Sequence, residues 1–396
     1  MAKIDTDARK IDELLTRGVI EVIDKEHLHK ALSSGKQLRI KLGIDPTSPN
    51  IHIGRAVLLR KLRAFQDLGH KVVFIVGDFT GVIGDTSDKD AERPMLPESE
   101  IKKNVKTYLA QAFKILDKKK TEAHYNSKWL KKLGFKEVGQ LADHFGLHEM
   151  EARENIAKRM KEGKRISFRE LLYPLMQGYD SVAVKADVEI GGTDQKFNLL
   201  AGRTIQRANG QEPQDILMTE ILEGTDGRKM SSSWGNVINL TDEPNDMFGK
   251  VMRIEDKLIE RYFVLATNVS RETIPSIVAK GPRDAKLELA TEIVKLYHGE
   301  KGGVSAREEF IRTFSKKEAP SEIPLMRLNV SQIDLVDLIV SVKFASSKSE
   351  ARRLIEQGGV RVDREVKMNN YPVDVYADRE TLLQVGPRKF MRVVSE

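Results

Sequence analysis

Residues 38–78, LRIKLGIDPTSPNIHIGRAVLLRKLRAFQDLGHKVVFIVGD, decide how this chain folds. LRIKLGID (38–45) is a strand-like apolar run, 55–68 carries apolar residues at helical spacing, and KVVFIVGD (71–78) is a second buried strand. Outward from this unit the alternation continues. A helix is predicted over 99–116, a short strand and turn at EAHYNSKWL, a strand at DVEIGG (187–192), a helix over 195–207 and a strand at DILMTE (215–220). Strands alternating with helices imply a doubly wound α/β fold, a parallel sheet covered on both faces with ligands outside the carboxyl ends of its strands. The first forty residues read as amphipathic helix, with Ile11, Leu14, Leu15 and Val19 on one face.

At 396 residues the chain exceeds one domain of about 150. After residue 240 the pattern becomes helical, near 247–267, 282–297 and 305–314, and the Pro-containing stretch 314–331 reads as a linker. The 40% hydrophobic and 32% charged composition excludes disorder and collagen, and the absence of Cys excludes disulfides, thiolate zinc sites, iron–sulfur clusters and cysteine nucleophiles. The first residues are charged and no run reaches the length of a membrane span, so a cytoplasmic protein without membrane contact is expected. The net charge is +7, and residues 101–165 hold 17 Lys or Arg against 8 Asp or Glu. That cluster is either a solvated helical face or a surface for a polyanion.

Two loops carry the chemistry. Where the first strand of the opening stretch feeds its helix, DPTSPNIHIGR (45–55) offers Thr47, His52 and Gly54 at a helix start, a place suited to phosphate. Alone, a His beside a Gly is a turn residue. The second loop, DGRKMSSSWGN (226–236), brings one lysine, Lys229, which could neutralise phosphate charge in a transition state, and several hydroxyl donors. Alone it too is a surface loop; the pair, in this order, is specific.

IHIGR resembles the His-Ile-Gly-His signature and KMSSS the Lys-Met-Ser-Lys-Ser signature of class I aminoacyl-tRNA synthetases. GIDPTSPNIHIG, GDFTGVIGDTS (77–87), YNSKWL (125–130), YPLMQGYD (173–180) and IGGTDQKFN (190–198) are similar, in order, to strings of the bacterial-type tyrosyl-tRNA synthetases. The resemblance implies a Rossmann-type catalytic domain (1–240) with a helical insertion near 101–165, a helical anticodon-side domain (241–320), a linker (321–332) and a small α+β RNA-binding domain of ribosomal-protein type (333–396). It implies ATP with Mg²⁺, no metal ligands from the protein, L-tyrosine and tRNA as substrates, and a homodimer.

By the same resemblance Thr47, His52, Arg55 and Lys229 serve the phosphates, and Gly43, Asp45, Gly54, Gly192, Asp194, Ser231 and Ser232 line the adenylate. Lys41, Thr80, Asp85, Tyr173, Gln177, Asp180 and Gln195 surround tyrosine, with Asp180 on the phenol hydroxyl. Tyr173, Gln177 and Asp180 are spaced four and three apart, so on a helix they share a side. Arg153, Lys158, Arg159, Lys164 and Arg165 are expected to receive the tRNA acceptor arm, and Lys348, Arg352 and Arg353 to touch RNA from the terminal unit.

Three departures stand out. Arg55 replaces the second signature His, Ser232 replaces the second signature Lys, and Lys41 occupies the position where many bacterial members place a Tyr against the substrate hydroxyl. Arg55 either meets phosphate or turns outward, and Lys41 either pairs with Asp180 or points away. Rival readings are a tryptophan enzyme, a nucleotidyltransferase and a synthetase-like RNA-binding protein without aminoacylation.

Overall fold

The computed structural model describes residues 4–87, 91, 94–315, 323–386 and 389–396. The chain divides into two compact units, 1–300 and 301–396. The helices after residue 240, read above as a separate domain, therefore belong with the sheet up to residue 300. No helix among the described residues is long and apolar enough to cross a membrane.

The first unit is built on a six-stranded sheet in the order β1-β6-β5-β2-β3-β4. Its strands are β1 (Val19–Ile23), β2 (Arg39–Ile44), β3 (Lys71–Val76), β4 (Thr121–Tyr125), β5 (Val188–Gly192) and β6 (Asp215–Thr219). β2 to β6 are parallel and β1 is an antiparallel edge strand on β6. β3, β5 and β6 are buried along almost their whole length, as parallel strands covered on both faces must be. The chain runs outward from β2 through β3 to β4, then returns beside β2 as β5. The switch point therefore lies between β2 and β5, where such folds place their ligands.

β1 differs from the sequence reading, which carried the first helix through Val19. The helix is Ala8–Thr16, and Gly18 ends it with φ of 61°. A Cβ at Gly18 would also stand 2.4 Å from Leu265, so chain reversal and close packing both require glycine there.

The helix Phe168–Val184 supports the site. Ser167 and Glu170 form its capping box, and Pro174 lies inside it. A proline has no N–H for the carbonyl four residues earlier, so the Glu170 carbonyl needs another donor. Arg153 supplies it, Nη1 donating at 3.3 Å. Arg159 meets the Glu170 carboxylate and the Arg165 carbonyl, and both members of that ion pair are fully buried.

In the second unit, five strands in the order β10-β9-β12-β13-β7 and a two-stranded β11-β8 ribbon enclose a core around Leu335, Leu338, Ile339, Ile355, Leu383 and Val393. These strands are β7 (Leu325–Leu328), β8 (Gln332–Asp334), β9 (Val360–Val362), β10 (Glu365–Lys367), β11 (Pro372–Asp374), β12 (Thr381–Val385) and β13 (Lys389–Ser395). β7 falls in the stretch read as a linker and pairs in parallel with β13. Residues 316–322, which fall within that stretch and the end of the expected helical domain, lie outside the described residues.

Candidate active site

A cleft of about 1030 Å³ opens over the ends of β2 and β5. Both signature loops border it: Thr47, His52, Gly54 and Arg55 from the first, Lys229 and Ser231 to Trp234 from the second. They touch directly, the Gly54 N–H lying 3.4 Å from Met230 Sδ and Ser232 Oγ 3.4 Å from Ser48 Oγ. A Cβ on Gly54 would press on the His52 ring at 3.0 Å and on Met230 at 3.3 Å, so the residue's smallness is what lets the loops meet.

His52 is the N-cap of the helix Ile53–Asp67, its Nδ1 accepting from the Arg55 N–H at 3.3 Å. That bond leaves Nε2 to carry the proton of the neutral ring. Burial, with the charges of Arg55 and Lys229, pushes the imidazole down to about 3, so it is a neutral donor at physiological pH. Arg55 does not turn away from the loop. Its guanidinium donates to Thr47 Oγ1 at 3.3 Å, to the Asp45 carbonyl at 3.4 Å and to the Tyr108 hydroxyl, bracing the segment Asp45–Thr47 at the cleft edge.

On the opposite side, Lys229 pairs with Asp194 at 2.9 Å. A Cβ at Gly192 would stand 2.5 Å from Asp194 Oδ1, so glycine makes room for that carboxylate. Gly43 lines the cleft, and a Cβ there would meet no protein atom within 4 Å. Asn236, not singled out in the sequence, holds the second loop: it accepts from the Ser231 N–H at 2.8 Å and donates to Asp226 at 2.7 Å.

Of the residues expected around tyrosine, Asp85, Tyr173, Gln177 and Gln195 line the cleft, while Thr80, Asp180 and Lys41 stand behind its lining. Gln195 Nε2 donates to Asp85 at 2.7 Å, and the Tyr173 hydroxyl donates to Asp45 at 2.9 Å. Asp45 also accepts from Thr80 at 2.7 Å. Gly77 makes this possible, because a Cβ there would fall 2.0 Å from Asp45 Oδ1 and 2.3 Å from Thr80 Oγ1. The Asp180 carboxylate is buried and accepts from Trp129 Nε1 at 2.7 Å and Asn126 Nδ2 at 3.2 Å. Burial pushes it up to about 7, against the opposing charge of Lys41. Asn126 and Trp129 stand in the YNSKWL string, whose role its letters alone did not disclose.

Two expectations need correction. Lys41, expected around tyrosine, does not pair with Asp180 and is absent from the cleft lining: it is fully buried behind it and bonded to Glu189 at 2.9 Å. Arg153 and Arg159, expected on a tRNA surface, are buried around Glu170, and Arg153 also donates to Ser87 at 3.2 Å and lies over the Phe197 ring. A guanidinium so enclosed cannot meet a phosphate. Lys158, Lys164 and Arg165 are exposed, as are Lys348, Arg352 and Arg353 in the second unit. The last three share the helix Lys348–Glu356, with Lys348 paired to Asp337 at 2.6 Å.

A cleft at the switch point of a doubly wound sheet, flanked by two polar loops suited to phosphates, defines a nucleotide-using α/β protein. Residues 33–315 match the model of the class I tRNA synthetases (W and Y), and the chain belongs to that family. Residues 335–375 match the S4 domain. Similar relatives carry the name tyrosine–tRNA ligase. That of Thermotoga maritima is 48% identical over 388 residues, 96% of each chain, and that of Carboxydothermus hydrogenoformans 48% over 401 residues, 97% of each. Among solved structures, a C-terminally truncated mitochondrial tyrosyl-tRNA synthetase from Coccidioides posadasii superposes with a TM-score of 0.63 at 26% identity, covering 76% of this chain and 91% of that one.

Proposed function

We propose that this chain is a tyrosine–tRNA ligase whose cleft first activates L-tyrosine and then charges tRNA(Tyr). The observation that carries the reading is the meeting of the two signature loops over a cleft whose other wall presents Asp85, Tyr173, Gln177 and Gln195. In the first step a carboxylate oxygen of tyrosine attacks the α-phosphorus of ATP, the bond to the bridging oxygen of the β-phosphate breaks, and pyrophosphate leaves with its Mg²⁺. In the second, a 3′-terminal ribose hydroxyl of tRNA attacks the tyrosyl carbonyl and AMP departs.

Such a displacement needs positioning and charge more than a nucleophilic side chain. The neutral His52 donates to the departing phosphates, Thr47 joins it, and Arg55 holds Thr47 in place. Lys229 leaves Asp194 to meet phosphate charge as it develops, and the released Asp194 accepts from the ribose hydroxyls. Ser231 and Ser232 supply neutral donors where a second lysine would add charge. The tyrosine ammonium faces Asp85, Tyr173 and Gln177. The phenol hydroxyl meets Asp180, so phenylalanine leaves a buried carboxylate short of one partner, costing about 1–3 kcal/mol or more.

Lys158, Lys164 and Arg165 face the acceptor arm, and the basic helix of the S4 domain takes a further part of the tRNA. Phe135, Leu147, Met160 and Phe168, exposed apolar residues in and beside the insertion, belong to the interface of a homodimer. The reading carries with it a cytoplasmic setting. Charging of tRNA with labelled tyrosine tests it: esterified tyrosine is expected, and a folded protein that binds tRNA without charging it would favour the RNA-binding alternative.

A further inference from the structure

At the amino-acid end of the cleft, two buried residues that the reaction as described does not use, Lys41 and Glu189, form a bonded set with Gln177, Ser181 and Gln214; Glu189 borders the cleft and Lys41 lies behind it. Lys41 on β2 is fully buried, and its ammonium donates to the Gln177 carbonyl at 2.9 Å, to Ser181 Oγ at 2.7 Å and to Glu189 Oε1 at 2.9 Å. Glu189 on β5 is 1% exposed and accepts in addition from Gln177 Nε2 at 3.2 Å, from Ser181 Oγ at 3.1 Å and from Gln214 Nε2. An ammonium has three donors and a carboxylate about four acceptor sites, so both groups are fully engaged without a substrate. The helix Lys196–Ala208 closes the set at Gly202, where a Cβ would stand 2.6 Å from Gln214 Nε2 and 3.2 Å from Ser181 Oγ.

Stability alone does not account for this arrangement. A buried ion pair is often no better than an apolar pair of the same volume. What distinguishes this one is what it grips. Gln177, which lines the cleft, is held through both its backbone carbonyl and its side-chain amide nitrogen. One turn further along the same helix stands Asp180, which senses the charges of Lys41 and Glu189 with opposite sign.

We propose that Lys41 and Glu189 are positioning residues that set selection of tyrosine over phenylalanine, by fixing the helix turn from Gln177 to Ser181 on which Asp180 stands. The inference rests on Asp180 taking the phenol hydroxyl, as read above. Lys41 makes no contact with the amino acid. Its charge opposes the burial and the Glu189 charge that push the Asp180 carboxyl towards the neutral acid, a poorer acceptor for a phenol.

The test uses the full chain and four forms: wild type, K41M, E189Q and K41M/E189Q. For each, kcat/KM for tyrosine and for phenylalanine is measured by amino-acid-dependent pyrophosphate exchange, alongside thermal unfolding. Each single variant leaves one buried partner uncompensated and loses stability. The double variant is expected to regain a Tm near that of wild type while its preference for tyrosine over phenylalanine falls about tenfold or more, through KM for tyrosine and with KM for ATP unchanged. Should that pair not fold, K41L/E189M, of similar volume, gives the same comparison. A folded double variant that keeps the wild-type preference would overturn the proposal and leave the ligand assignment intact. Wild type without preference for tyrosine would overturn the assignment of Asp180, and the proposal with it.

Discussion

The two ends of the cleft are built on opposite terms. At the amino-acid end, Lys41, Glu189 and Ser181 are buried and Gln177 half-buried, on strands and one helix, with their bonds closed on one another. At the phosphate end, Lys229 and Asp194 form a part-exposed ion pair, and Ser232 and Ser48 meet at 3.4 Å across two loops. The inner end fixes geometry before any ligand arrives, because breaking one bond there strands a buried charge. The outer end can exchange partners with phosphate and ribose at small cost, since part-exposed pairs are weak. Selection belongs to the first construction and rate to the second.

The contrast can be broken most forcefully by attacking the support of the inner end. Arg159→Ala removes the buried partner of Glu170 at the start of the helix that carries Tyr173, Gln177 and Asp180. A loss of about 3–5 kcal/mol in urea unfolding is expected. A change within experimental error would mean that Arg159 is not held as described. Next in size, Lys229→Ala should cut adenylate formation by about 10²–10³, the usual effect of removing one transition-state donor, while the urea midpoint stays put. Comparable loss of stability would erase the distinction between the two ends.

Arg55→Ala sharpens the contrast within the outer end. If the guanidinium braces Thr47 and serves the phosphates, adenylate formation slows about ten- to a hundredfold, in line with about 1.5–3 kcal/mol for hydrogen bonds of charged groups. An unchanged rate would make Arg55 dispensable. The smallest effect is expected from Lys164→Glu with Arg165→Glu: stability and adenylate formation unchanged, KM for tRNA raised severalfold at low salt and by a smaller factor at higher salt. Loss of adenylate formation in that variant would show that these exposed residues support the fold.

What the sequence disclosed divides along similar lines. Period and alternation exposed the parallel sheet, because such patterns repeat over neighbouring residues, and the spacing of Tyr173, Gln177 and Asp180 put them on one side of a helix once a helix was granted. The two loops became readable only together, since each alone is an ordinary turn. Non-local pairing stayed hidden. Nothing in the letters around Lys41 indicates Glu189 on another strand, and a run holding Arg153, Lys158, Arg159, Lys164 and Arg165 looks the same whether its members meet solvent or Glu170. Pro174, which creates the need that Arg153 meets, was visible but its consequence was not. β1 was lost because Val19 continues a helical spacing that Gly18 interrupts.

The most direct test of the whole account is exchange of labelled pyrophosphate into ATP with tyrosine, phenylalanine and tryptophan at equal concentration. The account predicts exchange with tyrosine and little with the other two. Exchange with phenylalanine or tryptophan at the tyrosine rate, or none from folded protein, would contradict it.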